Sequence, residues 1–190
     1  MNERVRVVEG ALRECARLHE QAAVQSPAAV VAVADTLRSA FAKDGKVLMF
    51  GNGGSALDAQ HFAAELVGRF GRERRALAAI SLTTDTSILT SVANDYTYER
   101  VFARQVEALG RAGDVAVGIS TSGASTNVLA ALQTAKARGM TTVAFTGRDG
   151  GAMGAMVDVH VNVPHAVTAR VQEVHRSLIH AVCELVERDL

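Results

Sequence analysis

His61 and Glu65 stand four residues apart behind a glycine-rich turn, in the run Gly51-Asn52-Gly53-Gly54-Ser55-Ala56-Leu57-Asp58-Ala59-Gln60-His61-Phe62-Ala63-Ala64-Glu65. On a helix that spacing sets an imidazole and a carboxylate on one face. The strand-like run Lys46–Phe50 leads into the turn, so the turn opens a helix whose first N–H groups have no partner within it. A phosphate or sugar held by those groups would lie within reach of an acid/base pair. The turn also fits G-x-G-x-x-[GA], the pattern of dinucleotide sites. Its acidic partner would be Asp85, about nine residues further on than such sites place it, and a pyrophosphate has no use for His61 and Glu65. Anion or sugar binding at the helix start is the better reading.

A second loop, Ile119-Ser120-Thr121-Ser122-Gly123-Ala124-Ser125-Thr126-Asn127, likewise ends a strand-like run and opens a helix. Ser120, Thr121, Ser122 and Ser125 set four hydroxyls around one glycine. A helix cap uses one or two. Four hydroxyls with a helix dipole behind them suit a phosphate dianion without Lys or Arg. The loop lacks the lysine of a Walker sequence, which argues against nucleotide hydrolysis. Asn94-Asp95 reads, on position alone, as a turn. Near the end of the chain Gln172, Arg176 and His180 recur at i, i+4 and i+8 and share one helical face. Val171, Val174, Leu178, Val182 and Leu185 form a separate apolar stripe.

A carboxylate base and an imidazole acid beside a phosphate-holding loop suit ketose–aldose isomerisation. The base, Glu65, takes a proton from the carbon next to a carbonyl; the acid, His180, protonates the carbonyl oxygen, and the resulting enediol is reprotonated at the other carbon. His61, Glu65, Gln172 and His180 also suit a divalent metal. Zinc accepts imidazole and carboxylate and would polarise the carbonyl, although Gln is an unusual zinc ligand.

The elements that must position these groups alternate. Strand-like runs are Lys46–Phe50, Leu77–Leu82, Asp114–Ser120, Thr141–Thr146 and Asp158–Val163. They are short and apolar and mostly lack period-2 alternation, the pattern of parallel strands buried on both faces. Helical patterns are Glu3–Val24, Pro27–Lys43, Ser55–Arg69, Asp85–Val92, Tyr98–Leu109, Ser125–Arg138, Gly151–Met156 and Thr168–Asp189. Ser26-Pro27 reads as N-cap and first helical residue. The order predicts an α/β doubly wound, three-layer αβα sandwich with a five-stranded parallel sheet, whose ligands sit beyond the carboxyl ends of the strands. Residues 1–190 read as one domain, with 1–45 as N-terminal helices for packing and 46–190 as the αβ core and closing helix.

Lys plus Arg and Asp plus Glu are 20 each, so net charge is zero and nothing points to nucleic acid or membrane. The one basic cluster, Arg69, Arg72, Arg74 and Arg75, reads as a solvated loop. Cys15 and Cys183 form no C-x-x-C pair and read as small buried apolar residues in a reducing compartment. The N-terminus leads into no long apolar run, so the expected location is the cytoplasm.

Taken in order, Gly51-Asn52-Gly53-Gly54-Ser55, His61-Phe62-Ala63-Ala64-Glu65, Ala93-Asn94-Asp95-Tyr96, Ile119-Ser120-Thr121-Ser122-Gly123, Phe145-Thr146-Gly147 and Arg170-Val171-Gln172-Glu173-Val174-His175 resemble the phosphoheptose (sedoheptulose 7-phosphate) isomerase family of the sugar isomerase, or SIS, superfamily. The resemblance runs from about Val5 to Leu185. It implies a flavodoxin-like fold and conversion of sedoheptulose 7-phosphate to D-glycero-D-manno-heptose 7-phosphate, the first step toward heptose for bacterial lipopolysaccharide or related glycans. It implies Glu65 as base and His180 as acid. It implies substrate contacts from Asn52, Gly53, Gly54, Ser55, Glu65, Asn94, Asp95, Ser120, Thr121, Ser122, Ser125 and Gln172. It implies one zinc ion per site on His61, Glu65, Gln172 and His180, and a homotetramer with sites at subunit interfaces. Ala124 and Ala169 depart from relatives with Asn and Asp there, which bears on substrate preference. A second reading is the replication-initiator-associating regulators, which share the fold and most motifs but resemble this chain without the carboxylate at Glu65 or the imidazole at His180; a third is an isomerase or sensing domain for another sugar phosphate, such as a hexose or pentose phosphate.

Overall fold

Val47 and Met49 face one side of a sheet and Leu48 and Phe50 the other, and all four are fully buried. That is why the strand reads as an unbroken apolar run: both of its faces are covered. The computed structural model describes residues 2–189, so Met1 and Leu190, the ends of the expected domain, lie outside it. The order is α1 (Glu3–Gln25), α2 (Pro27–Phe41), β1 (Val47–Gly51), α3 (Gly54–Val67), β2 (Ala79–Ser81) and α4 (Thr86–Asp95). A 3₁₀ turn (Tyr98–Arg100) follows, then α5 (Ala103–Leu109), β3 (Val115–Ser120), α6 (Thr126–Ala137), β4 (Thr141–Gly147), α7 (Gly151–Met156), β5 (Val159–Val163) and α8 (Thr168–Arg188).

All strand pairs are parallel, in the order β2-β1-β3-β4-β5. The expected three-layer sandwich is therefore present, in the flavodoxin-like order. From β1 the chain steps outward to β2 and then returns to the far side of β1 as β3. With right-handed crossovers that reversal sends the helices to opposite faces. Residues of α2, α3 and α8 fill the core on one face. Residues of α4, α5, α6 and α7 fill the core on the other. The reversal leaves a crevice between the carboxyl ends of β1 and β3, where the glycine turn and the serine loop both lie.

α3 and α8 begin at the same end of the sheet and pack side by side, so they run parallel and in register. Gly54 meets Gln172, Asp58 meets Arg176, and His61 meets His180. The sequence offset is 118 for the Asp58 pair and 119 for the His61 pair. A near-constant offset is what two parallel helices of equal pitch produce.

Several expectations need correction. The predicted Tyr98–Leu109 helix is broken: a 3₁₀ turn precedes α5, and Val101 and Phe102, consecutive in sequence, are both buried. The tighter turn lets Phe102 stack on Phe50, with ring centroids 5.7 Å apart. Ser26 stands at the head of α2 but its backbone is helical and its side chain caps nothing; its N–H closes α1 onto Ala22. β2 is an edge strand with Ile80 40% exposed, shorter and wetter than the predicted run. Of the α8 stripe, Leu178 and Leu185 are only partly buried, whereas Ile179, Cys183 and Val186 are fully inside. Arg74 is no solvated residue: its Nη atoms donate to the carbonyls of Glu65, Leu66, Gly68 and Arg75. Cys183 is buried as expected; Cys15 is half-buried, its sulfur 3.5 Å from His19 Nδ1. No described helix is long and apolar enough to cross a membrane.

His175, on the buried side of α8, is fully enclosed and its Nε2 donates to the Thr146 carbonyl at 2.8 Å. Burial pushes its pKa from 6.5 to about 4, against the opposing pull of that carbonyl and of Asp58. Between those values the unfolded chain binds the proton and the folded chain resists it. The stability His175 contributes is therefore complete above pH 6.5 and is lost as the pH falls toward 4, a change of about 3 kcal/mol. Urea unfolding across this range should show a shallower acid loss in His175→Gln than in the parent; parallel curves would contradict it.

Candidate active site

The glycine turn is built by conformation. Gly53 has φ +55°, a region glycine reaches without strain. At Gly54, the first residue of α3, a Cβ would stand 2.5 Å from Gln172 Nε2, so the Gln172 amide would have to move aside. Asn52 joins this turn to the other loop. Its Nδ2 donates to Asn127 Oδ1 at 2.8 Å, and Asn127 Nδ2 donates back to Asn52 Oδ1 at 2.9 Å. Tyr98 Oη also donates to Asn52 Oδ1, at 3.2 Å. Asn52 therefore keeps one N–H for a ligand, and its main work is to latch the β1 turn to the β3 loop. The dinucleotide reading falls on local grounds too: Asp85 caps α4, accepting from the Ile88 N–H at 2.9 Å.

In the serine loop, Ser120 Oγ lies 2.8 Å from Ser125 Oγ and 3.3 Å from Ser122 Oγ. Ser122 Oγ accepts from the Ala124 N–H at 3.2 Å. Ser125 occupies the N-cap position of α6, but its hydroxyl turns to Ser120 and makes no cap bond. The first turn of α6 thus keeps N–H groups uncapped by that side chain beside a knot of hydroxyls. Thr121 and Ser122 are half-buried on the same loop. Gly123 has φ +64°, and a Cβ on it would overlap the Gly150 carbonyl.

The acid/base candidates converge from α3 and α8. His61 Nε2 is 2.7 Å from His180 Nε2 and 3.5 Å from Glu65 Oε1. Between two facing ring nitrogens one donates and one accepts, so at least one ring is neutral. The pKa of His180 is pushed down by burial, by His61 and by Arg176, with Glu65 pulling the other way. The His61 and Glu65 side chains are 30% and 22% exposed, so both are half-buried.

Gln172 stands apart from this trio. It lines a cavity of about 320 Å³ with Gly54, Leu57, Asp58, Ala169, Glu173 and Arg176. Asp58 is buried there, and Arg176 Nη2 and Nε reach its Oδ1 at 2.7 and 3.2 Å. Asn94 and Asp95 are exposed and form the last turn of α4, not a loop beyond it; Asn94 Nδ2 donates to Asp95 Oδ1 at 2.8 Å. The sequence reading passed over Asn127, Tyr98 and Asp58. The offset between α3 and α8 would have found Asp58, because the helical face that pairs His61 with His180 also pairs Asp58 with Arg176.

Residues 12–147 match the model of the SIS domain. A phosphoheptose isomerase of Roseiflexus is 60% identical over 161 residues, 85% of this chain and 82% of that protein. The solved phosphoheptose isomerase of Neisseria gonorrhoeae superposes with TM-score 0.92 at 49% identity, covering 96% of this chain and 98% of that one. That of Francisella tularensis gives TM-score 0.95 at 34% identity, covering 99% and 100%.

Gly123→Ala places a side chain where both φ and the Gly150 carbonyl exclude it. It should cost about 1–3 kcal/mol and lower Tm by several degrees. A thermal scan superimposable on the parent's would contradict the packing described.

Proposed function

This chain belongs to the phosphoheptose isomerase family of SIS-domain proteins, and on that premise we propose that it converts sedoheptulose 7-phosphate to D-glycero-D-manno-heptose 7-phosphate, the first step of bacterial heptose biosynthesis. The observation that carries the reading is the meeting of Glu65, His61 and His180 across α3 and α8. The regulator reading finds no favouring observation: the chain keeps both the carboxylate and the final imidazole, and its relatives named above are isomerases.

In this account Ser120, Thr121, Ser122 and Ser125 hold the phosphate with the N–H groups of α6. Gly53, Gly54 and Ser55, with the spare N–H of Asn52, hold the sugar near α3. Asn94, Asp95 and Gln172 take up sugar hydroxyls. Glu65 removes the proton beside the carbonyl and returns it to the neighbouring carbon. His180, biased toward its neutral form, supplies a hydrogen to the carbonyl oxygen and takes one from the neighbouring hydroxyl as that hydroxyl becomes the new carbonyl.

The proposal includes a zinc ion. Among the described residues no three His, Cys, Asp or Glu side chains already stand as a metal site, but His61 Nε2 lies beside both His180 Nε2 and Glu65 Oε1, and zinc accepts those donor types. Bound there, zinc would polarise the sugar carbonyl. Gln172, the fourth ligand implied by the resemblance, lies against Gly54, about 12 Å of helix rise from His180; as it stands it serves the cavity. We extend the proposal to a cytoplasmic homotetramer with interfacial sites. One feature supports the assembly: Val5, Val8 and Leu12 of α1 are 52%, 60% and 66% exposed.

In a coupled assay with sedoheptulose 7-phosphate and zinc supplied, the protein should form the aldose phosphate, and Glu65→Gln should bind substrate yet turn over at least ~10²-fold more slowly. No product from the parent protein would end this reading; near-parental turnover by the variant would remove Glu65 from it. Ser122→Ala combined with Ser125→Ala should weaken binding of phosphorylated sugars much more than of free sugars. Equal weakening would move the phosphate elsewhere.

A further inference from the structure

Glu187 lies two turns beyond His180 on α8 and is only 8% exposed, a rare place for a carboxylate. The chain at 70–72 presents three successive backbone N–H groups, and Glu187 takes all of them. Oε1 accepts from Phe70 at 2.6 Å, and Oε2 accepts from Gly71 at 2.8 Å and Arg72 at 2.9 Å. Successive N–H groups of this kind make an anion site; here the anion is the protein's own. Arg74 Nε stands 3.3 Å from Oε1. Burial pushes the Glu187 carboxyl up, but the three N–H donors and Arg74 hold it below its ordinary value.

Both reactive candidates hang from this knot. Arg74 Nη2 donates to the carbonyl of Glu65 itself at 2.7 Å, and Nη1 donates to those of Leu66 and Gly68, which closes the carbonyl end of α3. Phe70, held through its N–H, lays its ring 5.5 Å from the His180 ring at 42°. A single buried carboxylate therefore fixes the backbone that carries the base and the ring that packs against the acid.

We propose that Glu187, acting through Arg74 and Phe70, is a positioning residue that sets the separation and orientation of Glu65 and His180. This rests on the isomerase reading above, so the test has two independent readouts. Glu187→Gln keeps the shape and removes the charge. It should remain folded, lower kcat about tenfold or more with KM within about threefold, and shift the NMR signals of the His180 ring. If that variant does not fold, Phe70→Leu, which keeps an apolar side chain and deletes the ring contact, should give the same pattern. Turnover by the parent protein tests the isomerase reading separately, and the His180 signals report positioning whichever substrate is right. Folded variants with parental kcat and parental His180 signals would overturn the proposal. So would a kcat loss that only tracks the unfolded fraction.

Discussion

The site depends on α3 and α8 lying parallel and in register. Nothing local in either helix brings His61, with Glu65 beside it, to His180; the meeting exists because the helices share an origin at the carboxyl end of the sheet and keep a fixed offset. Three contacts hold the register, one of packing and two of charge. At the head, Gln172 fills the space that Gly54 leaves. In the middle, the buried Asp58 carboxylate is paired to Arg176. A slip would leave that charge buried and unpaired, a penalty of several kcal/mol. At the foot, Glu187 binds Arg74 and the 70–72 turn. Apolar packing by Phe62, Leu66, Ile179 and Val186 fills the space between, but apolar contact alone tolerates sliding, and the charged locks do not.

The sheet contributes the second half of the site. Because strand order reverses between β1 and β3, two loops open into one crevice. The reciprocal amide pair of Asn52 and Asn127 joins them, so the turn that leads to the acid/base helix and the loop that carries the hydroxyls move as one unit. In the proposed reaction a substrate held at both loops would meet two ends joined in this way, which is how positioning lowers a barrier.

Much of this was legible in the sequence. Parallel strands announce themselves as apolar runs bounded by turn residues, and all five were visible. The reactive residues were legible because helical spacing fixes which side chains share a face. What escaped was either tertiary or a local compromise. Arg74 sits in a basic run that reads as solvated, and its burial comes from four backbone carbonyls and a carboxylate 113 positions away in sequence. Ser125 reads as a cap, yet its hydroxyl prefers Ser120. The break in Tyr98–Leu109 follows from burying consecutive Val101 and Phe102, which no helical period predicts. Arg74 is a miss of distance in sequence; Ser125 and the broken helix are misses of competing local contacts.

If the in-register helices make Glu65 and His180 one catalytic unit, removing either should disable that unit. The direct measurement is kcat for Glu65→Gln, His180→Gln and the double variant, all folded and saturated with sedoheptulose 7-phosphate. The account predicts strong non-additivity, with the double variant no slower than the slower single. Losses that multiply would mean that the two side chains act independently, and the convergence of α3 and α8 would not be the origin of catalysis.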